Sequence, residues 1–220
     1  EPFRWNQAIL LVGVNDSGTS TGTNTTTKIN DTGKSWTPDA LIGKYIRMTS
    51  GNCQDQIRKI TGNDATSITF SPAMSAAPDT DTYEVWNEDS TIESLTLDLN
   101  NGLLGIPLLN NTKRIAKIVG DAFRSGTISP TFHVTSRTNW ETYFKGWTTR
   151  PWLVLFKGAT LSGVYKYELQ FHLPKILFTA YPLAISGPGR LTVGATGKIK
   201  YDSTSEYLAR VVLFNGKSAY

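Results

Sequence analysis

Tyr165-Lys166-Tyr167-Glu168-Leu169-Gln170-Phe171-His172-Leu173 alternates without a break between apolar or aromatic side chains and polar ones. A period of two belongs to a β-strand, whose successive side chains point to opposite faces; a helix would scatter the same residues around its circumference. The stretch reads as a strand with Tyr165, Tyr167, Leu169, Phe171 and Leu173 on a buried face, and Lys166, Glu168, Gln170 and His172 on a polar one. In Thr127–Thr135 the pattern recurs, with Ile128, Pro130, Phe132 and Val134 opposite Ser129, Thr131 and His133. In Glu93–Leu99, Leu95, Leu97 and Leu99 share a face with Glu93, opposite Ser94, Thr96 and Asp98. Pro151–Phe156, Lys175–Tyr181, Arg190–Val193 and Tyr207–Phe214 add strand-like runs. Burial on one face only is the habit of antiparallel sheets, so residues 89–220 are expected to form an antiparallel β-sandwich or barrel.

One helix is expected within it. Thr138-Asn139-Trp140-Glu141 fits a capping box, in which the Thr hydroxyl and the Glu carboxylate each satisfy a backbone amide of the first turn. Trp140, Tyr143, Phe144 and Trp147 then fall at spacings of three and four, an aromatic stripe read as core packing, ending near Gly146.

Upstream, Gln7–Val14 reads as a short buried strand. Between Ser17 and Ser35, ten of nineteen residues are Ser or Thr, which predicts an exposed connection. Turn chemistry at Thr37-Pro38-Asp39, Ser50-Gly51-Asn52, Gly62-Asn63-Asp64 and Pro78-Asp79-Thr80 then separates four short runs, Gly43–Thr49, Gln54–Thr61, Thr66–Phe70 and Thr82–Trp86. The expected organisation is all-β. Residues 1–16 give a strand of the larger domain, 17–88 a small inserted β-barrel-like module of about five strands, and 89–220 the main sandwich with one short helix.

The chain has 220 residues, with 22 Lys and Arg against 18 Asp and Glu, a net charge of +4. The three segments carry −1, −2 and +7, so the basic character sits almost wholly in residues 89–220. This is no polycationic tail, and helix-turn-helix, zinc and basic-region signatures are absent. A single cysteine, Cys53, excludes an internal disulfide. The longest apolar run, Ala8–Val12, falls far short of the roughly 20 residues of a membrane helix, so no membrane partner is expected.

A search for chemistry returns little. His133 and His172 lie on polar strand faces without carboxylates at metal-ligand spacing. Cys53 sits in a turn between Asn52 and Gln54 with no adjacent base. Gly18-Thr19-Ser20-Thr21-Gly22 matches a nucleophile elbow in letters, but the Thr- and Asn-rich run after it is a poor helix. Gly33-Lys34-Ser35 and Gly216-Lys217-Ser218 lack the earlier glycine of a phosphate loop, and Asp79-Thr80-Asp81 lacks the rest of a calcium loop. No catalytic, cofactor-binding or metal-ligating residue is assigned, no cofactor is expected, and the chain reads as a non-enzyme. Six Trp and nine Tyr keep glycan binding as the competing reading, with Trp36 and Trp86 as stacking rings.

The order of the pieces Asn30–Trp36, Gly43–Gly51, Gln56–Ile60, Ala65–Phe70 and Pro78–Tyr83 resembles a small β module that recurs in virion proteins of tailed bacteriophages. From Ile92 onward the chain is similar to the tube-forming domain of long-tailed phages. The features are a Leu-rich strand ending at Asn100-Asn101-Gly102, Gly120–Phe132 leading to the capped helix, the Trp152–Lys157 strand, and the pair Tyr165–Leu173 and Lys175–Thr179 joined at Leu173-Pro174. The resemblance implies a virion protein made in the host cytoplasm, with homo-hexameric rings stacked into a tube through which DNA is ejected. Its implied partners are further copies of itself, other tail proteins such as the tape measure and terminator, and DNA in non-specific, transient contact. It also implies a polar sheet face lining the channel, Gly102–Lys113 and Tyr181–Arg190 as stacking loops, and the inserted module projecting outward.

Overall fold

The computed structural model describes residues 8–106, 117–120, 123–134, 141–162, 165–182 and 191–215. These residues form fifteen β-strands and one five-residue helix, an all-β antiparallel chain as the alternation required. They divide into two compact units: Glu1–Ser90 with Pro151–His172 and Val211–Tyr220, and Thr91–Arg150 with Leu173–Arg210. This partition differs from one at residues 16/17 and 88/89, since a single strand runs through the first of those points.

The first unit holds β1 (Ala8–Thr19), β2 (Lys28–Asn30), β3 (Tyr45–Met48), β4 (Ile57–Asn63), β5 (Ser67–Ser71) and β6 (Thr82–Glu88). β1 pairs along one edge with β6, from Leu11↔Glu88 to Thr19↔Thr82, and the order continues β3, β4, β5, β2. The strand expected to stop at Val14 therefore runs five residues further into the Ser/Thr-rich stretch, which also supplies β2. The expectation of an exposed connection over Ser17–Ser35 is corrected accordingly. Thr is a good strand residue, and here a neighbouring edge was available to pair with it.

Two apolar clusters hold this unit together. Ile29, Ile46, Met48, Ile60, Ile68, Phe70 and Val85 enclose one, together with Cys53, whose thiol is fully buried and lies 3.2 Å from the Ala76 carbonyl oxygen. The other joins Leu11, Tyr45, Ile57 and Trp86 to Leu153 and Leu155 of a later strand. Each such side chain contributes roughly 1.5–3 kcal/mol on burial, so residues 45–86 are welded to β1 by a shared core. Gly51 carries a positive φ of 73°, and a Cβ there would collide with the Asp81 carboxylate. Glycine at this turn is required twice over, by its dihedral and by its neighbour.

The second unit begins with β7 (Ile92–Asn100), β8 (Leu103–Ile106), β9 (Lys117–Gly120) and β10 (Ser125–His133). β8 lies inside Gly102–Lys113, the stretch expected to be a loop, and pairs with β9 beyond it, which corrects that reading for its first residues. The remainder of that loop, and nearly all of Tyr181–Arg190, lie outside the described residues.

β11 (Arg150–Ser162) pairs with the other edge of β1, from Ala8↔Phe156 to Val12↔Trp152. β12 (Tyr165–Ala180) is one strand of sixteen residues, contributing its part up to His172 to the first unit and the rest to the second. The expected break at Leu173-Pro174 is thus absent. A proline ring is compatible with extended backbone, and the ladder to β14 begins one residue later, at Lys175↔Lys200. β13 (Thr192–Gly194), β14 (Thr196–Lys200) and β15 (Arg210–Phe214) complete the chain.

β10 is the hub of the second unit: β7 lies on one edge, and β14 and β13 in succession on the other. Ile128, Phe132, Ile176, Phe178, Val193 and Ile199 are its core, with Phe132 edge-on to Phe178 at 6.1 Å. Gly126 leaves room for the terminal methyl groups of Ile199 and Leu99, which would stand 2.9 Å and 3.0 Å from a Cβ there.

The expected helix is present in part, as Glu141–Lys145; Thr138, Asn139 and Trp140 lie outside the described residues. Its aromatic stripe is not a core, which corrects that expectation. None of Glu141–Lys145 is buried, Tyr143 lies under the Arg150 guanidinium at 4.4 Å, Phe144 tilts against Tyr181, and Trp147 is 69% exposed. One short turn offers too little surface to cover three rings, and cation–π and ring contacts take the place of burial.

Candidate functional site

Directly opposed residues of an antiparallel ladder point to the same face, so the register of the second unit defines its two surfaces. Leu97, Ile128, Gly197 and Phe178 form one cross-strand row, and Leu99, Gly126, Ile199 and Ile176 the next; this is the core side. The other side carries Asp98, Thr127 and Lys198 in one row, which ends on the buried Leu177 of β12, with Thr96 opposite Ser129 and Ser94 opposite Thr131 beside it. Its polar residues are exposed except the half-buried Thr131, as are Thr196 and Lys200. The alternation in β7 and β10 predicted this polar surface; β14, which contributes its lysines, had not been recognised as a strand.

Charge on this face is sparse and mixed. Lys175 donates to Asp202 at 2.6 Å, and that bond, with those from Ser205, holds the Asp202 carboxyl well below the usual carboxylate range. His133, at the end of β10, has Nδ1 3.9 Å from the Glu93 carboxylate of β7. The pairing of β7 with β10 creates this contact, which the separation of forty residues in sequence had hidden.

β7 is also an edge. Among the described residues its one strand neighbour is β10, so no other described strand pairs with the far side of this nine-residue strand. Leu95 and Leu97 are half-buried and Leu99 is 41% exposed. A long edge with exposed leucines is a template for pairing with another strand unless something covers it.

The remaining candidates fall elsewhere. Ser20 follows the last residue of β1, buried and with its hydroxyl donating to the carbonyl oxygens of Asp79 and Asp81; β1 is followed by no helix, and the elbow reading ends there. Lys34 is spent on Asp16 at 2.7 Å, and Asp81 accepts from the Asp79 amide within a turn. Gly216-Lys217-Ser218 lies outside the described residues. Among the described residues no group of three His, Cys, Asp or Glu side chains is arranged to hold a metal ion. Trp86 is 4% exposed with Nε1 donating to Glu84, and Trp36 packs half-buried on the core and donates to Asp16. Neither offers the open ring face that glycan stacking requires of them.

The polar face assigned to the first half of β12 is the largest departure from expectation. Glu168, Gln170 and His172 are buried, at 7%, 0% and 3% exposure. They are linked: the His172 Nε2 and Gln170 Oε1 atoms are 2.8 Å apart, and Gln170 donates to the Asp55 carbonyl at 2.9 Å and to Glu168 at 3.3 Å. Glu168 in turn faces Arg58 at 3.8 Å. Alternation states which side chains share a face; it does not state which face is covered, and hydrogen-bonded polar groups can be buried. No protein-family model matches the chain, and no curated protein is found similar to it in sequence.

Proposed function

We propose that the chain is a structural subunit of a bacteriophage tail tube, in which copies join edge to edge into hexameric rings and the rings stack into a conduit for DNA. The observation that carries this reading is the combination, in one unit, of a solvent-facing Ser/Thr/Lys sheet surface with an edge of β7 that no other described strand pairs. Closing such edges between copies satisfies their backbone groups and converts separate sheets into a barrel wall. The sparse, mixed charge of the polar surface suits a conduit, because an array of many uncompensated lysines would hold DNA phosphates tightly. The resemblance in the order of sequence features supports the same assignment, together with its virion location and its tape-measure and terminator partners. Sedimentation velocity over a rising concentration series tests it: a discrete ring species growing at the expense of monomer is expected, and monomer persisting to the solubility limit would overturn it.

A further inference from the structure

The first unit contains a cavity of about 410 Å³, within the range of roughly 300–1,000 Å³ usual for small-molecule sites. Pro72, Leu161 and Phe214 give it an apolar lining, and its charged groups are Arg58, Lys157, Lys166 and Glu168. Three cations thus face one carboxylate.

The two lysines differ from the arginine. Arg58 is tied to the Ala73 and Ile57 carbonyls and the Gln56 side chain, and Glu168 is already engaged by the Gln170 amide at 3.3 Å and by Arg58 at 3.8 Å. Among the described residues, neither Lys157 nor Lys166 has a hydrogen bond or ion pair. Lys157 lies with Nζ 5.9 Å from the centre of the Tyr45 ring, a weak partner for a half-buried ammonium. Burial first, and then the charges of Arg58, Lys166 and Lys59, push the Lys157 amine below its ordinary value, while Glu168 acts the other way. Two ammonium groups beside an apolar wall in one cavity are the complement of an anion with an apolar body.

We propose that this cavity binds a small amphiphilic anion, an organic carboxylate or phosphate monoester whose head lies between Lys157 and Lys166 and whose apolar body packs on Leu161, Phe214 and Pro72. The lysines supply charge recognition, and the apolar lining supplies the selectivity for an organic over an inorganic anion. The site is independent of the polar surface of the second unit.

Calorimetric titration of the full chain with octanoate, octyl phosphate, inorganic phosphate and octanol tests the proposal, all below their micelle thresholds. Saturable one-to-one binding of at least one octyl anion is expected, with octanol and inorganic phosphate at least tenfold weaker; which octyl anion binds tighter separates carboxylate from phosphate. Lys157→Met is expected to weaken binding at least tenfold, and Lys157→Arg to retain it within about threefold. Phe214→Glu places a negative charge in the lining and is expected to abolish binding, with an unchanged near-ultraviolet circular dichroism spectrum as the check on folding. Absence of saturable binding by both octyl anions, equal binding of octanol, or undiminished binding by a folded Lys157→Met variant would each overturn it.

Discussion

Arg47 stands between two carboxylates, 2.7 Å from Asp55 and 3.1 Å from Glu84, with its side chain and that of Asp55 both under 10% exposed. Removing one member of a buried charge group strands the others in a poor solvent, at about 3–5 kcal/mol. Arg47→Met is therefore expected to lower the urea midpoint severely, whereas Lys59→Ala, which breaks an exposed pair with Glu88, should cost under about 1 kcal/mol. Acid should act at named sites too. Burial alone would raise the Asp16 carboxyl, but hydrogen bonds from Lys34, Trp36 and the Ser17 amide together hold it below its ordinary value; Asp202 is lowered by Lys175 and Ser205. A lowered carboxylate stabilises the fold fully above its unfolded value near 3.9 and loses that contribution as pH falls through the folded value. Urea midpoints are expected to hold steady from about pH 8 to 5 and to drop below about pH 4, with a shallower drop in Asp16→Asn. The partnerships of Arg47 with Glu84, of Asp16 with Lys34 and Trp36, and of Lys175 with Asp202 were not legible in the sequence, because each joins residues far apart in the chain, and Cys53 could not be told from a turn residue by its neighbours Asn52 and Gln54 alone.

At the scale of elements, β10 and β12 show what a period of two can and cannot say. In β10 it assigned Ile128, Pro130 and Phe132 to the core correctly. In β12 it grouped Glu168, Gln170 and His172 correctly on one face, yet that face lies under Asp55 and Arg58, whose approach is a tertiary event. Gln170→Ala removes the donor to the Asp55 carbonyl and is expected to cost about 1–3 kcal/mol in chemical denaturation, which a true solvent-facing glutamine would not. β14 escaped notice because Thr196-Gly197-Lys198-Ile199-Lys200 is short and contains a glycine, and glycine there serves the packing of Ile128 and Ile176. The edge of β7 carries the assembly claim. Leu99→Lys keeps an alkyl stem over Gly126 and puts a charge at the edge. Its expected effect is a change in monomer stability within about 1 kcal/mol and loss of the ring species in sedimentation.

For the whole molecule, the all-β class follows from alternation repeated in three long segments. The division into two units does not, since it depends on β11 and half of β12 joining the N-terminal strands. The Lys and Arg residues behind the +7 excess of residues 89–220 are scattered along the sequence from Lys113 to Lys217. Binding to duplex DNA is accordingly expected to be weak and to fall with added salt; submicromolar affinity at physiological salt, read by fluorescence anisotropy, would contradict a conduit role. The central claim is assembly, and negative-stain microscopy of the concentrated protein addresses it most directly. Rings or stacked tubes with an open centre are the result expected of the wild-type chain, lost in Leu99→Lys; a uniform field of monomers at every concentration tried would contradict it.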